Sequence, residues 1–336
     1  VPGPSRSIYS LAATDINRDG RADMAVGSNQ GDIYICRNPA GSNPFTAIPW
    51  TNRMITAIAN NPSVVEIRSS DIDHDGDPDL VTYSSANGPS PNQALFWQNP
   101  FVEGSSDPFN IATTWTMNTI MTGGYTARSL VVGDLDRDGY DDVILGSGGA
   151  GGNELRAYEN PHSFGIVATP WLLAQTIAVL NNILAVDALD LDKDGDFDPF
   201  YGMQASLYSI SNNLVHRDGY SRVGVKAGDA FNRIAEIDVG DLDNDGDPDV
   251  VSFGGDQVVG AAPIVIYQNP GTASVSSYTS WNRVSLGASW NTLTRSGIKL
   301  ADLDNDGWLD ITISYFNTSS GQIGISSFRN PHNPFT

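Results

Sequence analysis

Read as apolar against polar positions, the chain is a succession of short β-branched runs separated by polar turns, and one order of runs recurs six times. Each unit opens on an apolar stretch such as RSLVVG or AEIDVG and enters an acidic loop. It leaves that loop as a second apolar run: MAVGS, LVTYS, VILGS, VVSFG or ITISY. Runs this short, rich in Val, Ile and Tyr and bounded by turn residues, predict strands. A third run ends in Asn-Pro in most units (ICRNP, LFWQNP, RAYENP, IYQNP and SSFRNP). A fourth carries Trp in AIPWTNRMI, ATTWTMNTIM, ATPWLLAQTI and YTSWNRVSL, and a variant without Trp, YSRVGVKAG, follows the fourth unit. Helical spacing over a dozen residues is hard to find, so the pattern predicts an all-β chain.

The acidic loops set the period. They begin at Asp15, Asp71, Asp134, Asp190, Asp241 and Asp302, between 51 and 63 residues apart. A period that fills the chain points to a repeat architecture, and four short strands per unit describe the blade of a propeller. A parallel β-helix has shorter coils, and a sandwich would not repeat one loop six times. The expectation is a single domain over 1–336, a six-bladed β-propeller of four-stranded antiparallel blades. Each blade is expected to carry one acidic loop, at 15–23, 71–79, 134–142, 190–198, 241–249 and 302–310.

The loops repeat their chemistry as well as their spacing. Writing each as positions one to nine, acids occupy positions 1, 5 and 9, position 3 is Asp or Asn, and position 6 is Gly, which permits a sharp turn. The candidate ligand sets are Asp15, Asn17, Asp19, Arg21 and Asp23; Asp71, Asp73, Asp75, Asp77 and Asp79; Asp134, Asp136, Asp138, Tyr140 and Asp142. They continue as Asp190, Asp192, Asp194, Asp196 and Asp198; Asp241, Asp243, Asp245, Asp247 and Asp249; and Asp302, Asp304, Asp306, Trp308 and Asp310. In each set the position 7 residue offers its backbone carbonyl and turns its side chain outward. Alternate carboxylates plus a carbonyl make an oxygen cage of Ca²⁺ size. Hard donors without His or Cys disfavour Zn²⁺ and copper, and Mg²⁺ prefers to keep several waters. About six Ca²⁺ ions are expected, one per blade. Position 2 is always aliphatic (Ile16, Ile72, Leu135, Leu191, Leu242, Leu303) and reads as a plug that pins the loop to the blade core. An EF-hand would need Glu at position 12, where Val26, Thr82, Leu145, Tyr201, Ser252 and Ile313 stand, and would need flanking helices.

Charge sharpens this picture. The loops hold 27 of the 39 acids, so the net charge of −21 is concentrated rather than diffuse, and hydrophobic residues at 40% can supply a core. Six bound Ca²⁺ would bring the formal charge to about −9. Unpaired carboxylates this close repel by several kcal/mol at low effective dielectric, so the fold is expected to depend on Ca²⁺. The negative charge excludes nucleic acid and anionic membrane surfaces as partners, and no run of eighteen apolar residues is present for membrane insertion. The chain starts at Val1 with neither Met nor a signal-like segment, as expected of a processed or trimmed product. Cys36 stands alone and is expected to be a small buried hydrophobe.

The segments VVGDLDRDGYDDVILGS and DVGDLDNDGDPDVVSFG resemble the FG-GAP and VCBS repeats, the family of the integrin α-subunit propeller, of certain fungal lectins and of propellers on bacterial surface proteins and polysaccharide lyases. The resemblance covers essentially the whole chain. It implies a propeller with one Ca²⁺ on the loop between the first two strands of each blade, all on one face. Integrin propellers have seven blades with the acidic loop in only some, whereas six loops in six units stand here.

Catalysis is not expected. His74, His162, His216 and His332 lie near no nucleophile motif, and the glycine-rich stretch 146–153 lacks the Lys-Ser/Thr of a phosphate loop. Asp187, Glu236 and Asp238 fall outside the loops, at positions more often structural. Trp50, Trp115, Trp171 and Trp281 repeat at one place and should pack between blade edges, while Trp97, Trp290 and Trp308 break the repeat and are candidate ligand contacts. The last unit has no fourth run, and Pro2 and Pro4 make the leader a poor replacement strand. An open edge there would accept a strand from a partner, giving a filament or surface array if that partner is another copy. The function expected is an extracellular, secreted or cell-surface adhesion or structural module, whose partners are other copies of itself or an extracellular protein or glycan. The alternatives are a lectin-like propeller and an accessory propeller of a secreted polysaccharide-active enzyme. Asn317 heads the one glycosylation sequon.

Overall fold

The computed structural model describes residues 7–39, 50–59, 62–85, 91–147, 154–162, 170–178, 183–190, 197–203, 206–211, 221–223, 234–254, 264–269, 271, 281–286, 297–317 and 322–335. All regular structure among them is strand. The first sheet takes β1 (Ile8–Thr14), β2 (Asp23–Ser28), β3 (Asp32–Arg37) and β4 (Thr51–Ala57) in chain order. The second takes β5 (Ser63–Ser70), β6 (Asp79–Ser85), β7 (Asn92–Gln98) and β8 (Thr116–Gly123). The third takes β9 (Ala127–Gly133), β10 (Asp142–Ser147), β11 (Glu154–Glu159) and β12 (Leu172–Ala178), and the fourth β13 (Ala185–Leu189), β14 (Asp198–Met203), β15 (Ser206–Ser211) and β16 (Ser221–Val223). The fifth takes β17 (Ile234–Gly240), β18 (Asp249–Gly254), β19 (Ile264–Gln268) and β20 (Asn282–Leu286). Among the described residues the last sheet holds β21 (Ile298–Ala301), β22 (Asp310–Asn317) and β23 (Gln322–Phe328).

Every pairing is antiparallel. The first strands neighbour one another in a ring, β1 to β5 and onward, and β21 closes it against β1. The architecture is therefore a propeller with five four-stranded blades, not the six expected. In the other sheets the outer strand is the run that follows the third strand. After Asn330 residues 331–335 form no strand, so the closing sheet ends at β23.

The core lies between sheets rather than within one. Ile72, Tyr83 and Phe96 of the second blade pack with Leu130, Val143, Tyr158 and Trp171 of the third. Ile16, Ile33 and Ile35 of the first pack with Ile67, Leu80, Leu95, Trp97 and Trp115 of the second. Each such side chain contributes about 1.5–3 kcal/mol by leaving water. Close approach needs glycine: a Cβ at Gly27 would lie 2.4 Å from Val64, and one at Gly146 would lie 2.4 Å from Val186. The alternation of the innermost strands then decides which side chains face the next blade and which face the axis.

Candidate metal centres

Each acidic loop is the turn between a first and a second strand, and its ninth residue is already the first residue of that second strand. The turn needs left-handed backbone at two points. Position 6 has φ of +84° at Gly20, +94° at Gly76, +89° at Gly139 and Gly246 and +88° at Gly307. Position 4 is also left-handed, at Arg18, His74, Arg137, Asn244 and Asn305, a conformation that costs a residue with a Cβ unless its surroundings compensate.

Backbone N–H groups inside the loop supply that compensation. The carboxylate at position 1 accepts from positions 5 and 6: Asp245 N to Asp241 Oδ1 at 3.1 Å and Gly246 N to Oδ2 at 2.9 Å, with Asp302 at 3.1 and 2.8 Å. Asp15 and Asp134 repeat the pair. The carboxylate at position 5 accepts from position 7, as when Asp247 N reaches Asp245 Oδ1 at 2.8 Å. These bonds bend the loop so that the remaining oxygens converge.

Position 9 fastens the loop to the blade. Asp249 is fully buried; its Oδ2 accepts the Leu242 N–H at 3.0 Å and its Oδ1 the Asn269 N–H at 2.9 Å. Asp79, Asp142 and Asp310 do the same with Ile72 and Asn99, Leu135 and Asn160, and Leu303 and Asn330. The aliphatic plugs Ile16, Ile72, Leu135, Leu242 and Leu303 are buried as expected. Leu191 lies outside the described residues. The Asn of Asn-Pro completes the joint: Asn99 Nδ2 donates to Pro78 O in its own loop and to Ile16 O in the preceding loop, both at 2.9 Å. Asn160 and Asn330 bridge the third loop to the second and the last to the fifth in the same way.

Among the described residues, four loops bring three carboxylate oxygens within 4.8 Å of one another: Asp71, Asp73 and Asp79; Asp134, Asp136 and Asp138; Asp241, Asp243 and Asp249; Asp302, Asp304 and Asp306. Buried oxygens without a hydrogen-bond partner stand in three of these loops, at Asp71 Oδ1, Asp243 Oδ1 and Asp304 Oδ1. Buried polar atoms are rarely left unpaired, so a hard cation fits these oxygens. Asp75 and Asp245 are exposed and contribute backbone bonds at position 5. In the fourth loop Asp198 opens β14, and Asp192, Asp194 and Asp196 lie outside the described residues. The first loop differs, because Asp19 is taken by Arg21 Nη2 at 2.5 Å and by Asn17 Nδ2 at 3.1 Å. Asp15 keeps its two backbone bonds, whereas Asp23 accepts only the Asn38 N–H at Oδ1 and its buried Oδ2 is left without a hydrogen-bond partner.

Position 7 is less uniform than expected. Asp247, Tyr140 and Trp308 are partly buried, whereas the Asp77 side chain is buried at 3% exposure with Oδ1 unpartnered. Desolvation first, then its loop neighbours Asp75, Asp73 and Asp71, pushes the Asp77 carboxyl up to about 8. Burial likewise raises Asp79 to about 9 and Asp23, Asp142 and Asp249 to about 7, against the Asn N–H that stabilises each charge. Burial thus favours the protonated form of these carboxyls in the metal-free fold, and a bound cation would take the protons' place.

Several side chains singled out by sequence find other roles. Trp97 is 3% exposed and donates to Thr82 Oγ1 at 3.0 Å, so it is a core residue rather than a ligand contact. Trp115, Trp171 and Trp281 are buried, and Trp171 N donates to Ile120 O of the preceding blade at 2.8 Å, which is the blade-edge packing expected. Trp308 stacks on His332 at 5.3 Å, and His332 in turn lies 3.2 Å from Asp306. Tyr140 is sandwiched between His74 and His162, the latter against Asp138. Trp290 and His216 lie outside the described residues. Cys36 is half-buried, and burial pushes its thiol up to about 11.

A second charged group was not legible in the repeat. Asp187, Glu236 and Asp238 meet Glu66, Arg68 and Lys299 where the innermost strands β5, β13, β17 and β21 converge, each less than a tenth exposed. Arg68 crosses the axis: Nε donates to Leu130 O at 2.9 Å and Nη2 to Val186 O at 3.1 Å. Its guanidinium lies 3.5 Å from Glu66, 3.9 Å from Asp187 and 3.8 Å from Asp238, and Lys299 Nζ is 2.8 Å from Asp238. Four carboxyls face two cations. Burial raises all four, Glu66 to about 7 and Glu236 and Asp238 well above the usual range. The signal that would have found this group is its offset: Arg68, Asp187, Asp238 and Lys299 each stand three positions before the first Asp of a loop.

Comparison with known proteins places these features. The model of the FG-GAP-like repeat matches residues 15–82, 71–145, 134–200 and 241–313. Integrin alpha-IIb of Homo sapiens is 27% identical over 164 residues, a match covering 45% of this chain and 15% of that protein. Among solved structures, Aleuria aurantia lectin in complex with Fucα1-6GlcNAc is 11% identical with a TM-score of 0.56, covering 97% of this chain and 93% of that one. BBS1N in complex with ARL6DN is 11% identical with a TM-score of 0.51, covering 96% of this chain and 80% of that one. At these identities the structural likeness concerns the fold alone.

Proposed function

Because this chain belongs to the FG-GAP-like repeat family of β-propellers, we propose that it is an extracellular, calcium-stabilised, non-catalytic module for adhesion or assembly. The observation that carries the calcium reading is the convergence of three carboxylate oxygens in each of four loops, with buried oxygens left unpaired in three of them. Asp71, Asp73 and Asp79 and their counterparts would hold Ca²⁺, whose chemistry here is charge neutralisation rather than catalysis. The chain's own residues do the rest. Position 9 ties each cage to the second strand and to the turn of the third, and the Asn of Asn-Pro ties the second, third and last loops to the loop before. Filling the cages therefore stiffens contacts between blades. Millimolar extracellular calcium would keep such sites occupied, and the similarity to an integrin chain fits that location.

The assembly reading rests on β23, whose outer edge pairs with no strand among the described residues. An unpaired edge accepts a strand from another chain, and in a homopolymer the donor is the next copy. The lectin reading is favoured by Trp308, whose side chain is partly exposed at position 7 of a candidate metal loop. Light scattering and electron microscopy in calcium and in chelator, alongside a glycan array, separate these readings. Calcium-dependent oligomers support assembly, and glycan retention lost on Trp308→Ala supports a lectin. A melt unchanged by strong chelation overturns calcium stabilisation.

A further inference from the structure

The six loops share one pattern but not one charge, and the difference comes both from within the nine residues and from the residue before Asn-Pro. In the second and fifth units the side chain before Asn-Pro lies against position 3 of its own loop, whereas Arg37 of the first pairs with Asp107. Gln98 donates to Asp73, and Gln268 Nε2 donates to Asp243 Oδ2 at 2.7 Å. In the last unit the same place holds arginine: Arg329 Nε is 2.8 Å from Asp304 and Nη2 is 2.9 Å from Asp306, two of the three acids that converge there. In the third it holds Glu159, which adds negative charge beside Asp136. In the first loop it is Arg21 that occupies an acid, Asp19, at 2.5 Å. Counting each loop with the residue before its Asn-Pro, the formal charge is −5 for the second, third and fifth loops, −3 for the last and 0 for the first.

The first and last loops, whose acids pair with Arg21 and Arg329, are neighbours. Asn305 Nδ2 of the last loop donates to Gly20 O of the first at 3.3 Å, and β21 and β1 beneath them close the ring. A guanidinium already pairs with acids of both loops at the seam.

We propose that calcium affinity is graded round the ring by the side chain preceding Asn-Pro and by Arg21. The second, third and fifth loops take calcium first, and the first and last, which meet at the closing seam, take it last because a guanidinium must be displaced. The seam is thus fastened without metal while the second, third and fifth loops depend on it. This rests on the calcium reading above.

The test is calcium titration of the whole chain by calorimetry and chelator competition, comparing wild type with Arg329→Gln and Gln98→Arg. Gln is the native residue at this place in two other units, so Arg329→Gln has a built-in precedent for folding. Wild type is expected to show a tight and a weak class of sites. Arg329→Gln should move one site toward the tight class by roughly three- to tenfold, a modest change because Arg329 is more than half exposed. Gln98→Arg should move one site the other way. Binding with classes unshifted by either variant, or with a single class throughout, overturns the grading and leaves the calcium reading intact. Absence of calcium uptake in all three proteins overturns both.

Discussion

The side-chain amide of Asn330 donates to the backbone oxygen of Leu242 at 2.8 Å, across 88 positions of sequence, while its backbone N–H donates to Asp310 at 2.9 Å. One residue thereby ties the last loop to the fifth. Asn99 plays this part between the second and first loops. Asn99→Ala leaves Ile16 O and Pro78 O without their donor, each loss worth about 1–3 kcal/mol. The expected outcome is destabilisation of about 2–4 kcal/mol by denaturant titration, with Asn99→Asp worse because it adds a buried charge beside Asp79.

Removing calcium should lower the melting temperature. By mass action each site held at a hundredfold its dissociation constant contributes about 2.7 kcal/mol. A differential scan in calcium and after exhaustive chelation measures this, and the chelated protein is expected to melt earlier.

The chelated protein should also lose stability as pH rises. Asp79, Asp77, Asp142 and Asp249 have folded values of about 9, 8, 7 and 7, above the unfolded carboxylate value. The folded metal-free chain therefore binds more protons, and its stability is present near pH 4 and falls as pH rises toward 9. Calcium should flatten or reverse this slope, since the ion takes the protons' place. Melting curves from pH 5 to 9 in chelator and in calcium check the sign. A chelated protein that becomes more stable from pH 6 to 8 would contradict it.

Arg68→Met should destabilise by about 3–5 kcal/mol, because it strips the axial carboxyls of the cation that crosses between them. Glu236→Gln should cost little at neutral pH, since burial and Glu66 already favour the protonated form of Glu236. The double variant is expected to recover part of the loss, and chemical denaturation of the three proteins measures it.

Much of this was legible one-dimensionally. The loop's ligand spacing, its glycine and its aliphatic plug are local, so their chemistry follows from residues that are neighbours in the chain. Repetition turned that local pattern into an architecture, because a unit that cannot bury its own faces must stack on copies of itself. Trp97 escaped this logic: it breaks the repeat, and only its burial against Thr82 revealed a core residue.

By itself, then, the sequence determined an all-β repeat, the place of each acidic loop between two strands, and the oxygen chemistry available there. Tertiary structure decided what depends on residues far apart in the chain. It brought six charged side chains together on the axis and set the guanidinium of Arg329 against the acids of the last loop. The physical reason is that a turn is fixed by nearest-neighbour sterics and hydrogen bonds, whereas the charge balance of a buried group is set by whatever the closing ring presses against it.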